Sequence, residues 1–426
     1  DRPGRARRDR DGGTMSAAGV SESQLARTLT QDLRHAATIG ATGRGGISRF
    51  AWTRELAEVV AWVTSNLEEL GMTVRTDAAG NMIARWEAGE GGAVMAASHL
   101  DTVPNGGGFD GVLGVLGAVE AVRILRREGF EPARPIQVGA FMDEEGTRFG
   151  AALFGSRAFA GLDVSASLDA KDADGVTLRE AIAASGLDPE AVGDAFAADQ
   201  LAAYLELHVE QGPVLDNAGV RVGIVESITG VLGFRVTVKG EANHAGATPT
   251  DARRDALVGA ARMILALRER AQAFPELRAT VGRISTAPGA ITVIPGECTF
   301  TVDLRPSQPE VVAPTIAWLE QMVKQVAAAD GLTAELASDY ELAPTPMDPR
   351  VVDALAAAAV DEQVQAQRMW SGAGHDAMVI APHAATGMVF VPSHRGISHS
   401  PHEWTEMEDC ELGARVLAGA IRRLAS

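Results

Sequence analysis

Histidines and carboxylates recur in this sequence at the ends of apolar runs, and together they suit a divalent-metal hydrolytic centre. In SHLD, His99 and Asp101 stand two apart after an apolar run. Side chains two apart on a strand share a face, so a carboxylate can hold one imidazole nitrogen while the other binds metal. H-x-D is short, and a surface histidine beside a turn-forming aspartate has the same spacing. Asp110 lies in GGGFDG, where glycines let the backbone bend and approach another group closely; alone it reads as a turn residue. MDEEG crowds Asp143, Glu144 and Glu145 at the end of another apolar run. Such a stack needs a cation or proton to neutralise it, unless the loop is solvated. His208 stands in LELHVEQGP, and GISHSPHEW offers His399 and His402, between which spacing does not choose. His35, His383 and His394 have no such setting and read as structural or surface residues. Nitrogen and oxygen donors without thiolate favour Zn²⁺ or Mn²⁺ over a soft-metal or iron–sulfur site.

Several separate segments must converge to make one site from these residues. From Ser21 to Leu70 the apolar residues, notably Trp52, Leu56, Val59, Val60, Val63 and Leu67, recur at helical spacing, with Gly71 as the stop. The runs MTVRTD, NMIARW, AVMAASH and IQVGAFM suit buried strands, and Val112 to Arg127 suits a helix. This alternation predicts an α/β fold with an open, largely parallel sheet, whose ligands gather beyond the carboxyl ends of the strands. SHLD and MDEEG fall at such ends. The middle third reads as strand GFRVTVKG, a helix from Asp255 to Phe274, strands ATVGRI and CTFTVDLR, and a helix from Glu310 to Ala329. That order predicts a separate two-layer α+β domain inserted into the first. From about Ala343 the alternation resumes through DPRVVDALAAAAV and MVFVP. The expected division is an extension over 1–15, a first catalytic part over 16–223, the insert over 224–340, and a second catalytic part over 341–426.

Composition narrows the classes. Of 426 residues, 46 % are apolar and 22 % charged, which excludes intrinsic disorder as the main description. Lys plus Arg is 38 against 56 Asp plus Glu, a formal charge of −18, which argues against binding polyanions or anionic membranes. Two cysteines, Cys298 and Cys410, are too few for a disulfide scaffold or thiolate zinc site, so a reducing, cytoplasmic location is expected. No apolar run approaches the roughly 20 residues of a membrane helix. DRPGRARRDRDGGT, with five Arg and three Asp, fits neither a secretory signal nor a transit peptide. It reads as a disordered extension ahead of Met15, the expected start.

SHLDTVPNGGGFDG, MDEEGTRFGAALFGSRA, LELHVEQGPVL, GEANHAGATP, CTFTVDLR, SGAGHDA and MVFVPSHRGISHSPHE occur in that order. The chain from Ser21 onward resembles the dinuclear-metal amidohydrolases comprising N-carbamoyl-L-amino-acid hydrolases, β-ureidopropionases and allantoate amidohydrolases. These lie within the wider zinc aminoacylase and carboxypeptidase family. The resemblance implies two divalent ions per chain, Zn²⁺ or Mn²⁺ with Co²⁺ or Ni²⁺ as options. One is held by His99 and His208, the other by Glu145 and His399, with Asp110 bridging. It makes Glu144 the general acid/base and Asp101 the partner of His99. In the insert, a lid and dimerisation domain by resemblance, His244 is matched to the residue that crosses to the partner subunit and stabilises the oxyanion. Arg305 is matched to the clamp on the substrate carboxylate, a role suited to a planar guanidinium. Gln211 is matched to a contact with the ureido group, and Thr292 stands where relatives carry Asn. A hydroxyl lacks the amide's paired donor and acceptor, so that contact must differ. The implied activity is hydrolysis of the carbamoyl C–N bond of N-carbamoyl-L-amino acids by a homodimer. The rivals are an allantoate or ureidoglycolate amidohydrolase, then an amide or peptide hydrolase, then a non-catalytic binding protein of the same fold.

Overall fold

The computed structural model describes residues 27–426, so the extension ahead of Met15 and positions 21–26 of the expected opening helix lie outside the described residues. The chain divides into two compact units. Of the described residues, the first comprises 27–226 with 347–369 and 374–426, and the second comprises 227–346 with 370–373.

In the first unit a mixed sheet runs in the order Thr73–Thr76, Met82–Trp86, Ile136–Phe141, Ala93–His99, Leu201–Val209, Ala385–Val391, Val222–Ile228. The four strands from Ile136–Phe141 to Ala385–Val391 pair in parallel, and antiparallel strands flank them. Every residue of Ala93–His99 and of Ile136–Phe141 is buried. Coverage on both faces explains why these strands read as unbroken apolar runs. Helix Val112–Arg127 lies against the sheet so closely that a Cβ on Gly114 would come within 2.4 Å of the Leu207 carbonyl oxygen. The same helix is held to Leu29–Ala36 by a fully buried ion pair of Arg123 with Asp32 at 2.9 Å.

The single helical opening from Ser21 to Leu70 is corrected to two helices, Leu29–Ala36 and Arg54–Glu69. Gly40, Gly43, Gly45 and Gly46 break the intervening segment, and Trp52 takes a positive φ of 54°. Helical spacing over Trp52 to Leu67 described only the second helix, whose N-cap is Thr53.

The second unit is an antiparallel sheet in the order Ile284–Ala287, Glu297–Pro306, Val231–Lys239, Thr333–Leu342, with Leu277–Thr280 also paired to Glu297–Pro306. Helices Ala256–Ala273 and Pro309–Ala329 pack on one face through Met263, Leu267, Leu319 and Val323 against Phe234, Val236, Phe300 and Val302. Burial alternates along Glu297–Pro306, as one covered face requires. The expected strand ATVGRI is corrected to two pieces, interrupted at 281–283 around Gly282. The edge strand Thr333–Leu342 is largely exposed and was not expected, because TAELASDYEL carries too many polar residues to mark a strand.

Candidate metal centre

His99 is the last residue of one buried strand and His208 the last but one of its neighbour, so the parallel sheet delivers both imidazoles to one edge. Their ring centroids are 6.0 Å apart. Asp110 reaches them from the loop before helix Val112–Arg127. Gly111, at φ 66°, makes this possible, because a Cβ there would fall within 2.5 Å of the His99 ring nitrogens.

Asp110 presents its two oxygens to different histidines. Oδ1 lies 3.3 Å from His208 Nε2 and 3.7 Å from His99 Nε2, whereas Oδ2 lies 3.2 Å from His399 Nε2. His399 Nε2 is also 3.7 Å from Glu145 Oε1, and His99 Nε2 is 3.7 Å from Glu144 Oε2. His99, Asp110 and His208 thus form one group with metal-binding spacing, and Asp110, Glu145 and His399 form another.

The ring orientations are set by backbone. His99 Nδ1 lies 3.1 Å from the Asp101 carbonyl and His208 Nδ1 lies 2.9 Å from the Val209 carbonyl, so each Nδ1 carries the proton as donor. Each Nε2 is left as an acceptor facing a carboxylate oxygen, and that of His208 also accepts from the Gly111 N–H at 3.3 Å. Where two acceptors face each other, a cation or a proton between them relieves the repulsion. Glu145 Oε1, buried with no hydrogen-bond donor among the described residues, makes the same demand. The donor set therefore fits divalent metal.

The electrostatics agree. Burial, then Asp110, pushes Glu145 up to about 8. Burial, then Asp376 and Glu145, pushes Glu144 well above the carboxylate range. Burial opposes charge on Asp110, but hydrogen bonds from His208 and His399 hold its carboxyl well below the usual range. Against burial, Asp110 raises His208 to about 9; its hydrogen bond is the largest influence raising His399 to about 9.

Asp101 differs in detail from its expected partnership. The His99 ring bonds the Asp101 backbone carbonyl, and the carboxylate is 3.7 Å away. That carboxylate accepts from the backbone N–H groups of Glu144 and Glu145 at 3.2 and 3.1 Å, fixing the turn that carries both. Gln211 Nε2 donates to Asp110 Oδ2 at 2.8 Å and lies 3.3 Å from His399. His402 is exposed and joins no ligand group among the described residues.

Three further residues were missed. Glu403 accepts from the N–H groups of Phe109 and Asp110 at 2.9 and 3.1 Å and pins the loop carrying Asp110. Its one signal was its place just after His402. Arg49, fully buried, donates to the carbonyls of Leu100, Ala36 and Ile39, each at 3.0 Å, and nothing in SRFAW marks it. His375 packs its ring 4.5 Å from that of His208; it was visible only inside SGAGHDA.

His244, Thr292 and Arg305 lie in the second unit. His244 pairs with Val293 in a short ribbon, and its Nδ1 accepts from the N–H groups of Gly246 and Ala247 at 3.0 Å each. The proton therefore sits on Nε2, which is a donor. Thr292 is exposed, and its carbonyl accepts from Ala245 N–H at 2.9 Å. Arg305 is half-buried and makes two bonds to Asp303, at 2.8 and 3.1 Å.

Comparison with known proteins gives these groups a family. Residues 95–423 match the model of peptidase family M20/M25/M40. The chain is 40 % identical over 407 residues to the N-carbamoyl-L-amino-acid amidohydrolase of Paenarthrobacter aurescens, covering 94 % of this chain and 98 % of that protein. It is 34 % identical over 404 residues to the allantoate amidohydrolase of Bacillus subtilis, covering 93 % and 97 %. The crystal structure of a hydantoinase/carbamoylase family amidase from Burkholderia multivorans superposes with a TM-score of 0.85 at 38 % identity, covering 93 % and 97 %. Matched over this length and at this identity, the chain belongs to peptidase family M20/M25/M40.

Proposed function

We propose that this protein hydrolyses the carbamoyl C–N bond of N-carbamoyl-L-amino acids, giving the amino acid, ammonia and CO₂. The observation that carries the reading is Asp110, whose two oxygens face separate histidine groups as a bridge between two cations would. Likeness to carbamoyl-amino-acid amidohydrolases over nearly the whole length supports the substrate class. His99 and His208 would hold one ion, Glu145 and His399 the other, and Asp110 both, with Zn²⁺ or Mn²⁺ favoured by the donors. When bound, such ions supply positive charge at the reacting carbonyl and acidify water at neutral pH.

Glu144, half-buried and with its N–H held by Asp101, takes the proton of the attacking water and returns it to the leaving nitrogen. Gln211 offers an amide to the ureido group. His244, from a partner subunit in a homodimer, donates Nε2–H to the developing oxyanion. Arg305 grips the substrate carboxylate, for which it must exchange at least part of its bonding to Asp303. Thr292 replaces the amide of relatives with a hydroxyl. The reading places the enzyme in the cytoplasm; among the described residues no helix is long and apolar enough to cross a membrane.

Ammonia release from N-carbamoyl-L-amino acids, β-ureidopropionate and allantoate tests the assignment. N-carbamoyl-L-amino acids should be turned over fastest. Faster release from allantoate would move the protein to the allantoate amidohydrolases.

A further inference from the structure

Beneath the metal centre lies a buried carboxylate that the reaction does not use. Glu206, 1 % exposed, accepts from Ser98 Oγ at 3.0 Å, from Tyr204 Oη at 3.1 Å and from the N–H of Ala377 at 3.0 Å. Each donor belongs to a segment that also carries a histidine of the centre or its neighbour. Ser98 directly precedes His99, Tyr204 shares its strand with His208, and Ala377 follows His375 by two residues. Glu206 and His208 are themselves two apart on one strand and face the same side. Ligand atoms of Glu206, His208 and His375 all lie within 4.8 Å of one another. Among the described residues no Arg or Lys is a hydrogen-bond or ion-pair partner of Glu206.

A buried carboxylate bonded only by neutral donors is costly unless positive charge stands near it. Here that charge would be the cation that His208 holds. We propose that Glu206 is a positioning residue of the His99–His208 cation site. It ties together the segments carrying the two imidazoles and their neighbour His375, and it supplies negative charge behind His208. The inference rests on the metal reading above, and it extends that reading to a residue that does not touch the ion.

Glu206→Gln isolates the charge. An amide oxygen can still accept from Tyr204 and Ala377, and the amide nitrogen can donate to the Ser98 hydroxyl, so shape and hydrogen bonding survive. Metal-stripped wild type and E206Q would be titrated with Co²⁺, following the visible absorption and bound equivalents, with thermal unfolding of both metal-free proteins alongside. Affinity for one equivalent should fall by about 10–100-fold in E206Q, while the other equivalent binds as in wild type. Metal affinity equal to wild type, with only a lower unfolding temperature, would overturn the inference and leave Glu206 a packing residue. Should E206Q not fold, Glu206→Asp keeps the charge but withdraws it by one methylene. A weakened single equivalent supports the inference and unchanged binding rejects it. Wild-type protein that binds no Co²⁺ would instead reject the metal reading itself.

Discussion

In the first unit His99, Asp101, Asp110 and His208 are each at most 7 % exposed, whereas in the second unit His244 and Thr292 are exposed and Arg305 is half-buried. The buried set is fixed before any ligand arrives. Backbone carbonyls orient the rings of His99 and His208, Asp101 holds the Glu144–Glu145 turn, and Glu403 holds Asp110. Within the exposed set, His244 and Thr292 stand at a separate two-stranded ribbon, whereas Arg305 stands on the sheet with helices on one face and shares its opposite face with Asp303. Groups that hold ions and move protons need a low-dielectric, preorganised setting. Groups that meet a diffusing substrate need access, and under the proposed reading Arg305 would exchange its bonds to Asp303 for the substrate.

Four experiments separate these two regions. Glu144→Gln should lower turnover by about 10²–10⁴-fold with metal content unchanged, measured by ammonia release and metal analysis. Substantial surviving turnover would remove Glu144 as the base. Leu319→Ala, in the fully buried core of the second unit, should destabilise that unit by about 2–5 kcal/mol. Calorimetry should show a shifted transition while bound metal stays at its wild-type level. Metal loss would mean that the centre depends on the second unit for its integrity.

Arg305→Lys replaces a fork with a point charge and should lower kcat/KM on carboxylate-bearing ureido substrates by about tenfold or more. Neutral amide analogues should lose far less, and equal losses would reject the carboxylate clamp. The smallest effect concerns Asp143, whose carboxyl is pushed from 3.8 up to about 8, chiefly by burial and then by Asp101. Between these values the folded state binds more protons than the unfolded one, so stability is full below the lower value and is lost as pH rises through about 8. Thermal unfolding of the metal-stripped protein should therefore fall from pH 4 to 8, and Asp143→Asn should flatten that fall. An unchanged slope would show that Asp143 is not buried as a neutral acid.

Much of the scaffold was legible where one physical signal dominated. AVMAASH reads as a buried strand and forms Ala93–His99, and the helix expected from Val112 to Arg127 has those bounds. Segments with mixed signals were misread. A run of helical spacing hid the glycine-rich break between Leu29–Ala36 and Arg54–Glu69, and polar TAELASDYEL concealed an edge strand that pairs only on one side. Among site residues, those at strand ends announced themselves by following apolar runs. Glu403, Arg49, His375 and Glu206 act through contacts with segments distant in sequence, and their own neighbours carry no trace of those contacts.

The sequence by itself determined the chemical inventory: nitrogen and oxygen donors without thiolate, set at the ends of buried strands, with a stacked pair of glutamates beside them. Its net charge of −18 also argues against polyanions as partners. Spacing did not choose between His399 and His402, the resemblance named His399, and the fold brings it to Asp110; only the tertiary structure decided that Asp101 secures a turn more closely than it secures His99. The physical reason is range. Apolar periodicity is a local property of the chain, whereas the 3 Å distances that make a metal centre depend on loops converging from positions hundreds of residues apart.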